Sequence, residues 1–301
     1  MTSILHNMVH AVQDGLVALG SGSDQIRSFL AARQNADGAF QSRGGQSDLY
    51  YTAFGAEIFS QMPPDPATDA LAAYLAGRED GQGLGFMDLV SLARARMRIL
   101  PQQTPVAWRL KLSNAILRFQ CPDGGFDVNP GSCTPSATAT FMAWTALESL
   151  DRLPPSPAPF LKILQTLENP DGSFANYAAA GAGNVPATSA AIIARHCLAG
   201  LDSPSAVEWL LEQCFTPGGF LAFPRSPLPD LLSTGIALFS LRTHGLAMKD
   251  IATPCQAFIE GLLDPSGGYR GHELDPIADI EYTYYGLLGL GSLYPETGSK
   301  A

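Results

Sequence analysis

The stretch Phe119–Phe126, FQCPDGGF, decides the fold because the chain repeats it along its length. Close copies are RQNADGAF at Arg33–Phe40 and ENPDGSF at Glu168–Phe174. Weaker copies are GQGLGF at Gly81–Phe86, TPGGF at Thr216–Phe220 and DPSGGY at Asp264–Tyr269. A phrase that returns roughly every 40 to 50 residues indicates an array of one supersecondary unit. Such a unit cannot bury its apolar face alone, so the copies must stack or close on one another.

The repeated phrase predicts a helix end, a tight turn and a new helix. Its Asp can bond the backbone of its own turn, its Gly supplies a positive φ, and the aromatic that follows packs back under the turn. We interpret the phrase as a structural device that carries no catalysis by itself.

Between the turns, apolar residues recur at helical spacing and β-branched alternation is nearly absent. Each repeat is predicted to hold an amphipathic outer helix and a nearly uncharged inner helix. The predicted pairs are 23–34 with 46–62, 66–78 with 86–100, 105–120 with 134–151, 157–168 with 186–201, 203–214 with 229–245, and 248–263 with 279–293.

Six such pairs predict an all-α fold, a closed (α/α)6 toroid built from six helix-pair repeats. An open solenoid is the alternative, but it needs polar capping repeats, and neither end of the chain is conspicuously polar. We predict an N-terminal helix in residues 1–22 and the toroid in residues 23–301.

Composition narrows the classes of partner. A net charge of −10 argues against nucleic acid and anionic membrane surfaces. No apolar run is long enough to span a bilayer, and the N-terminus does not resemble a signal peptide. The five cysteines show no CxxC spacing, which predicts reduced thiols and a cytoplasmic protein. They are Cys121, Cys133, Cys197, Cys214 and Cys255.

The predicted inner helices begin with a shared pattern, in which an Asp precedes a Thr by four residues. It occurs at Asp48–Thr52, Asp230–Thr234 and Asp279–Thr283. The second repeat has Asp88 without the Thr, and the third and fourth offer Thr134 and Asn184. Helix N-capping accounts for these residue types.

In a toroid, however, all the inner helix starts lie at one mouth. Asp48, Asp230, Asp279 and Glu281 are therefore predicted to converge there among aromatic rings. Acids above aromatic faces suit either metal capture or a cationic intermediate. The aromatic residues of these helix starts are Tyr50, Tyr51, Tyr282, Tyr284 and Tyr285.

The Gly-rich phrase and the segment Asp279–Leu290 resemble the prenyltransferase and squalene cyclase toroid superfamily, over about residues 23–294. The closest likeness is to the β subunits of protein prenyltransferases. That resemblance implies a zinc-binding Asp at Asp230, but Leu232 stands where a thiolate is expected and Tyr282 where a His is expected. Zinc needs N, S or carboxylate donors, so we predict no zinc at the family position, and no other cofactor. A rebuilt site with His272, Asp279 and Glu281 is the alternative.

The same resemblance implies a diphosphate pocket lined by basic residues. The candidates are Arg225 and Arg270, each of which a surface arginine explains equally well. Trp144 on the third inner helix is a further candidate for the cavity wall, although core packing also accounts for it.

A second resemblance is to class II terpene cyclases, which carry Asp-x-Asp-Asp-Thr at an equivalent helix start. Asp279-Ile-Glu-Tyr-Thr283 is a degenerate match that puts Glu281 in place of the general acid. A carboxylic acid protonates an alkene only when burial and a neighbouring carboxylate hold it neutral, and Asp279 could be that neighbour. Those cyclases use two toroids, whereas this chain has room for one.

Three functions follow from these resemblances. The first is prenyl transfer from an isoprenoid diphosphate to an acceptor, with a lost or rebuilt zinc site. The second is a single-toroid, acid-initiated terpene cyclase, and the third is a non-catalytic toroid that binds an isoprenoid or a protein. We rank the transferase first, with Glu281, Asp279, Asp230 and Asp48 as catalytic candidates. An isoprenoid is the expected ligand, and a helical α-subunit-like protein or a second copy is the expected partner.

Overall fold

A computed structural model of the chain describes residues 2–78 and 81–294. The described residues are mostly helical, and every predicted helix is present. The helices are α1 (Ile4–Leu19), α2 (Ser23–Ala32), α3 (Leu49–Phe59), α4 (Pro66–Ala76), α5 (Phe86–Ile99), α6 (Val106–Leu117), α7 (Ala137–Ser149), α8 (Ala158–Leu167), α9 (Val185–Ala199), α10 (Pro204–Glu212), α11 (Leu231–His244), α12 (Lys249–Gly261) and α13 (Ile280–Leu293).

Short antiparallel hairpins precede the last two inner helices. Strand β1 (Phe220–Leu221) pairs with β2 (Pro229–Asp230), and β3 (Tyr269–Arg270) pairs with β4 (Ala278–Asp279). Each hairpin joins the aromatic of the repeated phrase to the residue that caps the inner helix. Inner helices α11 and α13 begin two residues and one residue later than predicted, because these hairpins take up those residues.

The chain divides into two compact units. In the first unit, inner helices α9, α11 and α13 pack side by side, and α1 lies against α13. In the second unit, inner helices α3, α5 and α7 pack in sequence order, with outer helices α4, α6 and α8 against them.

The glycine turns join each repeat to the next. A Cβ atom at Gly124 would come 2.9 Å from Pro159 of α8, and one at Gly172 would come 2.6 Å from the carbonyl of Ser205 in α10. The sixth turn makes the equivalent contact with α2, where a Cβ at Gly267 would collide with Gln25. The sixth turn thus packs against the start of α2.

A buried threonine explains the Asp–Thr spacing. In the fifth repeat the amide of Phe220 donates to Thr234 Oγ1 at 2.9 Å, and that hydroxyl donates to the carbonyl of Asp230 at 2.7 Å. The threonine therefore ties the turn aromatic to the helix start. The same pair of bonds recurs at Thr52, Thr140 and Thr283.

The second repeat lacks this device. Its aromatic, Phe86, is already the first residue of α5, and Gly85 is the N-cap without a side-chain bond. Leu89 stands four residues after Gly85, where the other repeats have Thr. The weak phrase at Gly81–Phe86 therefore makes a direct turn into the inner helix.

Helix α1 is packed tightly into the first unit. Gly15 lies against the carbonyl of Leu287, and Gly291 lies against the carbonyl of Ala11, so that no Cβ would fit at either glycine. Asp14 also pairs with Arg242 of α11 at 2.6 Å. The domain division at residue 22 stays a prediction.

In the described part of the chain, no helix combines the length and the apolar character needed to cross a bilayer.

Candidate functional site

Asp48, Asp230 and Asp279 are N-caps of their inner helices, as the capping interpretation predicted. Asp48 Oδ1 accepts from the amides of Tyr50 and Tyr51 at 2.7 and 3.2 Å. Asp279 Oδ1 accepts from the amide of Tyr282 at 2.9 Å. These bonds satisfy amides that the first helical turn leaves unpaired.

The caps of the third and fourth inner helices correct one alignment. Ser136 caps α7 through the amide of Ala139, and Asn184 caps α9 through the amide of Ala187. The expectation that Thr134 holds the equivalent place was wrong. The expected cap lies two residues before the observed one because no helical periodicity marks where the loop ends and the cap begins.

The surroundings of the cap Asp230 favour a neutral carboxyl group. Its Oδ1 accepts from the amide of Ser233 at 2.8 Å, and the Ser233 hydroxyl lies 2.8 Å from Oδ2. Burial raises the pKa of Asp230 and outweighs these hydrogen bonds and the opposing effect of His272. The acid therefore keeps its proton to higher pH than an ordinary aspartate.

The start of α13 adjoins that of α11. The amide of Leu231, next to Asp230, donates to the carbonyl of Gly271 at 2.8 Å. The ring of Tyr282 covers Gly271, so that a Cβ there would lie 2.5 Å from the ring. Asp279 is buried and Glu281 is half-buried in the first turn of α13. In the first unit, the structure thus brings acids and an aromatic ring to neighbouring helix starts.

The remaining tyrosines of α13 divide between surface and core. Tyr285 is half-buried and its backbone packs on Gly235 of α11. Tyr284 is fully buried, so its ring belongs to the core and does not line an open mouth.

The two predicted diphosphate ligands lie in different settings. Arg225 is exposed in the loop between β1 and β2, with a left-handed φ of 69°. Arg270 donates from Nη2 to the carbonyl of Gly261 at 3.3 Å, at the end of α12. Arg270 is therefore engaged with a helix C-terminus, where a cation is favoured.

The second unit contains a pair of acids of its own. Asp88 lies in the first turn of α5 and is not a cap, which corrects the capping interpretation at this position. Burial raises the pKa of Asp88, and the charge of Asp48 raises it further. Tyr50 stacks edge-to-face on Tyr51 and Phe54, with ring centroids 5.8 and 5.0 Å away.

Trp144 packs toward the outer helices. Its ring lies 5.5 Å from that of Phe160 in α8. It lines a cavity of about 200 Å³ together with Leu117 of α6 and Pro159 of α8. The packing interpretation of Trp144 therefore accounts for its position, and the expectation that it lines the inner wall has no support.

Sequence reasoning missed a buried ion pair on two inner helices. Glu57 of α3 is 2% exposed and pairs with Arg94 of α5 at 2.5 Å. Both Arg94 Nε and Nη2 bond the same oxygen, Oε1. The only signal was a lone charge within the otherwise apolar run LYYTAFGAEIF.

The residues at the family's zinc position do not fit zinc, since Leu232 offers no donor and Tyr282 replaces the histidine. Within residues 2–78 and 81–294, no three His, Cys, Asp or Glu side chains are arranged to hold a metal ion. His272, Asp279 and Glu281 therefore do not assemble a rebuilt centre with Asp230.

One known protein family matches part of the chain. Residues 90–227 match the family model of the prenyltransferase alpha-alpha toroid domain. A comparison with curated protein sequences gives no match.

Similar folds occur in proteins with different activities. The apo type II terpene cyclase MstE from Scytonema is 14% identical, with a TM-score of 0.62 over 96% of this chain and 97% of that chain. The GH76A alpha-1,6-mannanase from Salegentibacter sp. HEL1_6 is 11% identical, with a TM-score of 0.64 over 93% and 98%. A Candida albicans protein geranylgeranyltransferase-I complexed with GGPP is 15% identical, with a TM-score of 0.51 over 95% and 82%.

The terpene cyclase corrects one expectation. This chain covers 97% of it, so a type II terpene cyclase can be built on one toroid of this size. Residues 90–227 therefore match a prenyltransferase α/α-toroid domain, and the chain as a whole has the α/α-toroid fold that the sequence predicted.

Proposed function

We propose that this protein binds an isoprenoid and cyclises it by acid-initiated chemistry. The observation that carries the proposal is the setting of Asp230, a half-buried carboxyl group whose pKa is raised by burial. Alkene protonation needs a carboxylic acid that is neutral and poorly solvated. The type II terpene cyclase of similar size supports the same reaction class.

The initiating step is a proton transfer from the Asp230 carboxyl group to an alkene carbon. The O–H bond breaks, a C–H bond forms, and the positive charge passes to the neighbouring carbon. The Ser233 amide and hydroxyl already bond the two Asp230 oxygens, so they stabilise the carboxylate that the step leaves behind. Ring closure then consumes the cation, and loss of a proton ends the reaction.

Apolar walls supply the affinity for such a substrate. Each buried CH₂ contributes about 0.8 kcal/mol, so a fifteen-carbon chain gains on the order of 10 kcal/mol before the cost of ordering it. The faces of Tyr282 and Tyr285 are candidates to stabilise the cation, at up to about 2 kcal/mol each when desolvated.

Glu281 and Asp279 have a second role in this proposal. They stand two residues apart at the start of α13, next to the helix that Asp230 caps. Glu281 either donates the proton in place of Asp230 or orients the polar end of the substrate. The two roles differ in pH dependence, because a donor acts in its neutral form and an orienting carboxylate in its charged form.

Prenyl transfer is the second candidate, and the family model over residues 90–227 favours it. A transferase must hold a diphosphate, which requires cations. If the protein is a transferase, Arg225 and Arg270 bind the diphosphate together, and the hydrogen bond from Arg270 to the Gly261 carbonyl is broken.

In the test, the purified protein is incubated separately with two compounds that carry the same geranylgeranyl chain. One form is the diphosphate, and the other is geranylgeranyl dihydroxybenzoate, the substrate bound by MstE variants. Mass spectrometry follows the products. An isomer of unchanged mass from the second form, lost in Asp230→Asn or Glu281→Gln, supports cyclisation and names the acid.

Release of diphosphate, with transfer of the chain to an added acceptor, would overturn cyclisation in favour of transfer. Both forms recovered unchanged but tightly bound would leave a non-catalytic isoprenoid-binding toroid. Absence of binding to either form would overturn the isoprenoid assignment itself.

A further inference from the structure

The second unit contains the cavity of about 200 Å³ that Trp144 lines. Three helices contribute to its walls, with Leu117 at the end of α6, Leu147 in α7 and Phe160 in α8. We call it the α6–α8 cavity. Asp230 is not among its lining residues, so an inference about this cavity does not depend on the proposed function.

The volume of the α6–α8 cavity suits one small ring. An engineered apolar cavity of about 150 Å³ in another protein takes up benzene. A volume of about 200 Å³ therefore admits a benzene ring with a short substituent, but not a long isoprenoid chain. The rings of Trp144 and Phe160 lie 5.5 Å apart with their planes tilted by 31°, and aromatic side chains favour contact with a further ring.

Three of the polar side chains at the cavity are already engaged within the protein. Gln120 Nε2 donates to a carbonyl of the third turn at 3.1 Å, and Thr140 Oγ1 accepts from the amide of Phe126 at 3.0 Å. Ser156 Oγ accepts from the first amide of α8 at 3.2 Å. Arg152 differs, because within residues 2–78 and 81–294 its guanidinium has no hydrogen bond or ion pair. The cavity therefore has an unpaired cation at its rim.

The end of α7 fixes the backbone of Arg152 beside the cavity. The amide of Arg152 donates to the carbonyl of Leu147 at 2.8 Å, and that of Asp151 donates to the carbonyl of Glu148 at 3.1 Å. These are the two bonds of a Schellman motif, and Asp151 has the left-handed φ that the motif needs, at 56°. The carboxylate of Asp151 pairs with Arg109 at 2.5 Å and not with Arg152.

The indole nitrogen of Trp144 is a second donor without a partner. Trp144 is 5% exposed, and its Nε1 is buried with no hydrogen-bond partner in the part of the chain that the structure describes. Buried donors are rarely left unpaired. An ionised carboxylate has two oxygens and only accepts hydrogen bonds, so it complements both an unpaired guanidinium and an unpaired N–H.

We propose that the α6–α8 cavity binds a single-ring aromatic carboxylate. The ring packs among Leu117, Trp144 and Phe160, and the carboxylate accepts hydrogen bonds from the Arg152 guanidinium and the Trp144 indole. No bond of the ligand is made or broken, so the cavity is a binding site and not a second active site. Because the unfolded chain has no such cavity, the ligand stabilises the folded protein.

Isothermal titration calorimetry of the full chain with phenylacetate tests the proposal. Saturable binding of one molecule per chain is expected, with a Tm that rises with ligand concentration. Arg152→Gln should weaken phenylacetate binding about 3- to 10-fold, the effect of one charge-assisted hydrogen bond at a partly exposed site, and should leave the binding of neutral toluene unchanged. Arg118→Gln is the matched control, since it removes an exposed arginine that does not line the cavity, and it should bind phenylacetate like the parent protein.

Leu117→Trp fills the cavity from a position that is 42% exposed, so this variant should fold and should lose the binding of both compounds. The proposal would be overturned by a lack of saturable phenylacetate binding to the parent protein, or by full binding to Leu117→Trp. Equal weakening in Arg152→Gln and Arg118→Gln would also overturn it, because net charge and not the cavity would then attract the ligand. Tighter binding of 3,3-dimethylacrylate, a branched acid without a ring, would overturn the aromatic assignment.

Discussion

Three aspartates, Asp48, Asp230 and Asp279, occupy the same position in their repeats, but their carboxyl groups have different surroundings. All three cap an inner helix, so capping explains why the residue type recurs. Burial raises the pKa of Asp230, in spite of its bonds to Ser233. The case for acid chemistry at Asp230 therefore rests on its environment and not on the motif.

We expect Asp230→Asn to keep the cap and to lower turnover by about 100-fold or more, the usual contribution of a general acid. In the parent protein, activity should fall as pH rises through the raised pKa of Asp230, because the neutral form donates. Turnover of the isoprenoid as a function of pH checks this. Asp65→Asn, at the cap of outer helix α4, is the matched control and should leave turnover unchanged.

The same raised pKa predicts how stability depends on pH. Above 3.8, the ordinary value for Asp, the unfolded chain loses this proton while the folded protein keeps it. The free energy of unfolding should therefore decrease as pH rises from 3.8 to the folded-state pKa, and then level off. Urea unfolding at a series of pH values should show this slope in the parent protein and a smaller slope in Asp230→Asn.

We predict that the purified protein holds no zinc at the family position, since Leu232 offers no donor atom and Tyr282 replaces a histidine. Elemental analysis should find well under one zinc per chain, and a chelator should leave Tm unchanged. One zinc per chain that is lost in Asp230→Ala would contradict this prediction and restore the rebuilt site.

At the scale of the helical elements, the repeated turn and the inner helix are joined by the buried threonine. Its hydroxyl satisfies a backbone N–H and a backbone C=O at once. This explains why Thr follows the cap residue at a fixed spacing in the first and the third to sixth repeats. The spacing that suggested a functional motif is therefore set by helix geometry.

Thr234→Val should destabilise the protein by about 1–3 kcal/mol, because it leaves the Phe220 amide buried without its partner. Thr243→Val in the same helix is the control, since Thr243 only bonds the carbonyl of Phe239. Chemical unfolding measures both variants. An equal loss of unfolding free energy in the two variants would contradict the stabilising role of the bond between Phe220 and Thr234.

Close packing of α1 on α13 depends on glycine. Gly291→Ala should cost roughly 1–3 kcal/mol or more, because its Cβ would collide with the backbone carbonyl of Ala11. Gly261→Ala, at the end of α12, meets no atom within 4 Å and should be neutral or slightly stabilising. Thermal unfolding compares the two, and a neutral Gly291→Ala would contradict the observed helix contact.

At the scale of the whole molecule, helix α1 is expected to be necessary for the fold. Asp14 and Gly15 of α1 contact Arg242 and Leu287 on two inner helices. We predict that deletion of residues 1–19 removes cooperative unfolding and exposes apolar surface, as judged by near-UV circular dichroism and dye binding.

A point substitution in α1 tests the same prediction in a protein that should still fold. Asp14→Asn should fold and should lower Tm, because Arg242 then loses its charged partner. Gln13→Ala, on the exposed side of α1, should not lower it. An unchanged Tm in the deletion variant would instead support a separate N-terminal segment that ends near residue 22.

Local patterns were sufficient to predict the helices, the Gly turns and the repeat number, because helical periodicity and turn chemistry act over a few residues. The capping role of Asp48, Asp230 and Asp279 was equally readable, since a cap bonds its own first turn. Other features join residues far apart in the chain, and no local pattern encodes them. They include the Glu57–Arg94 ion pair and the burial that raises the pKa of Asp230.

The sequence by itself therefore determined an all-α chain of helix-pair repeats with acids at the inner helix starts. Only the tertiary structure decided which way Trp144 faces and that α1 packs against α13. The physical reason is that desolvation, ion pairing and close packing depend on which repeats become neighbours. That choice is made by the folded chain as a whole.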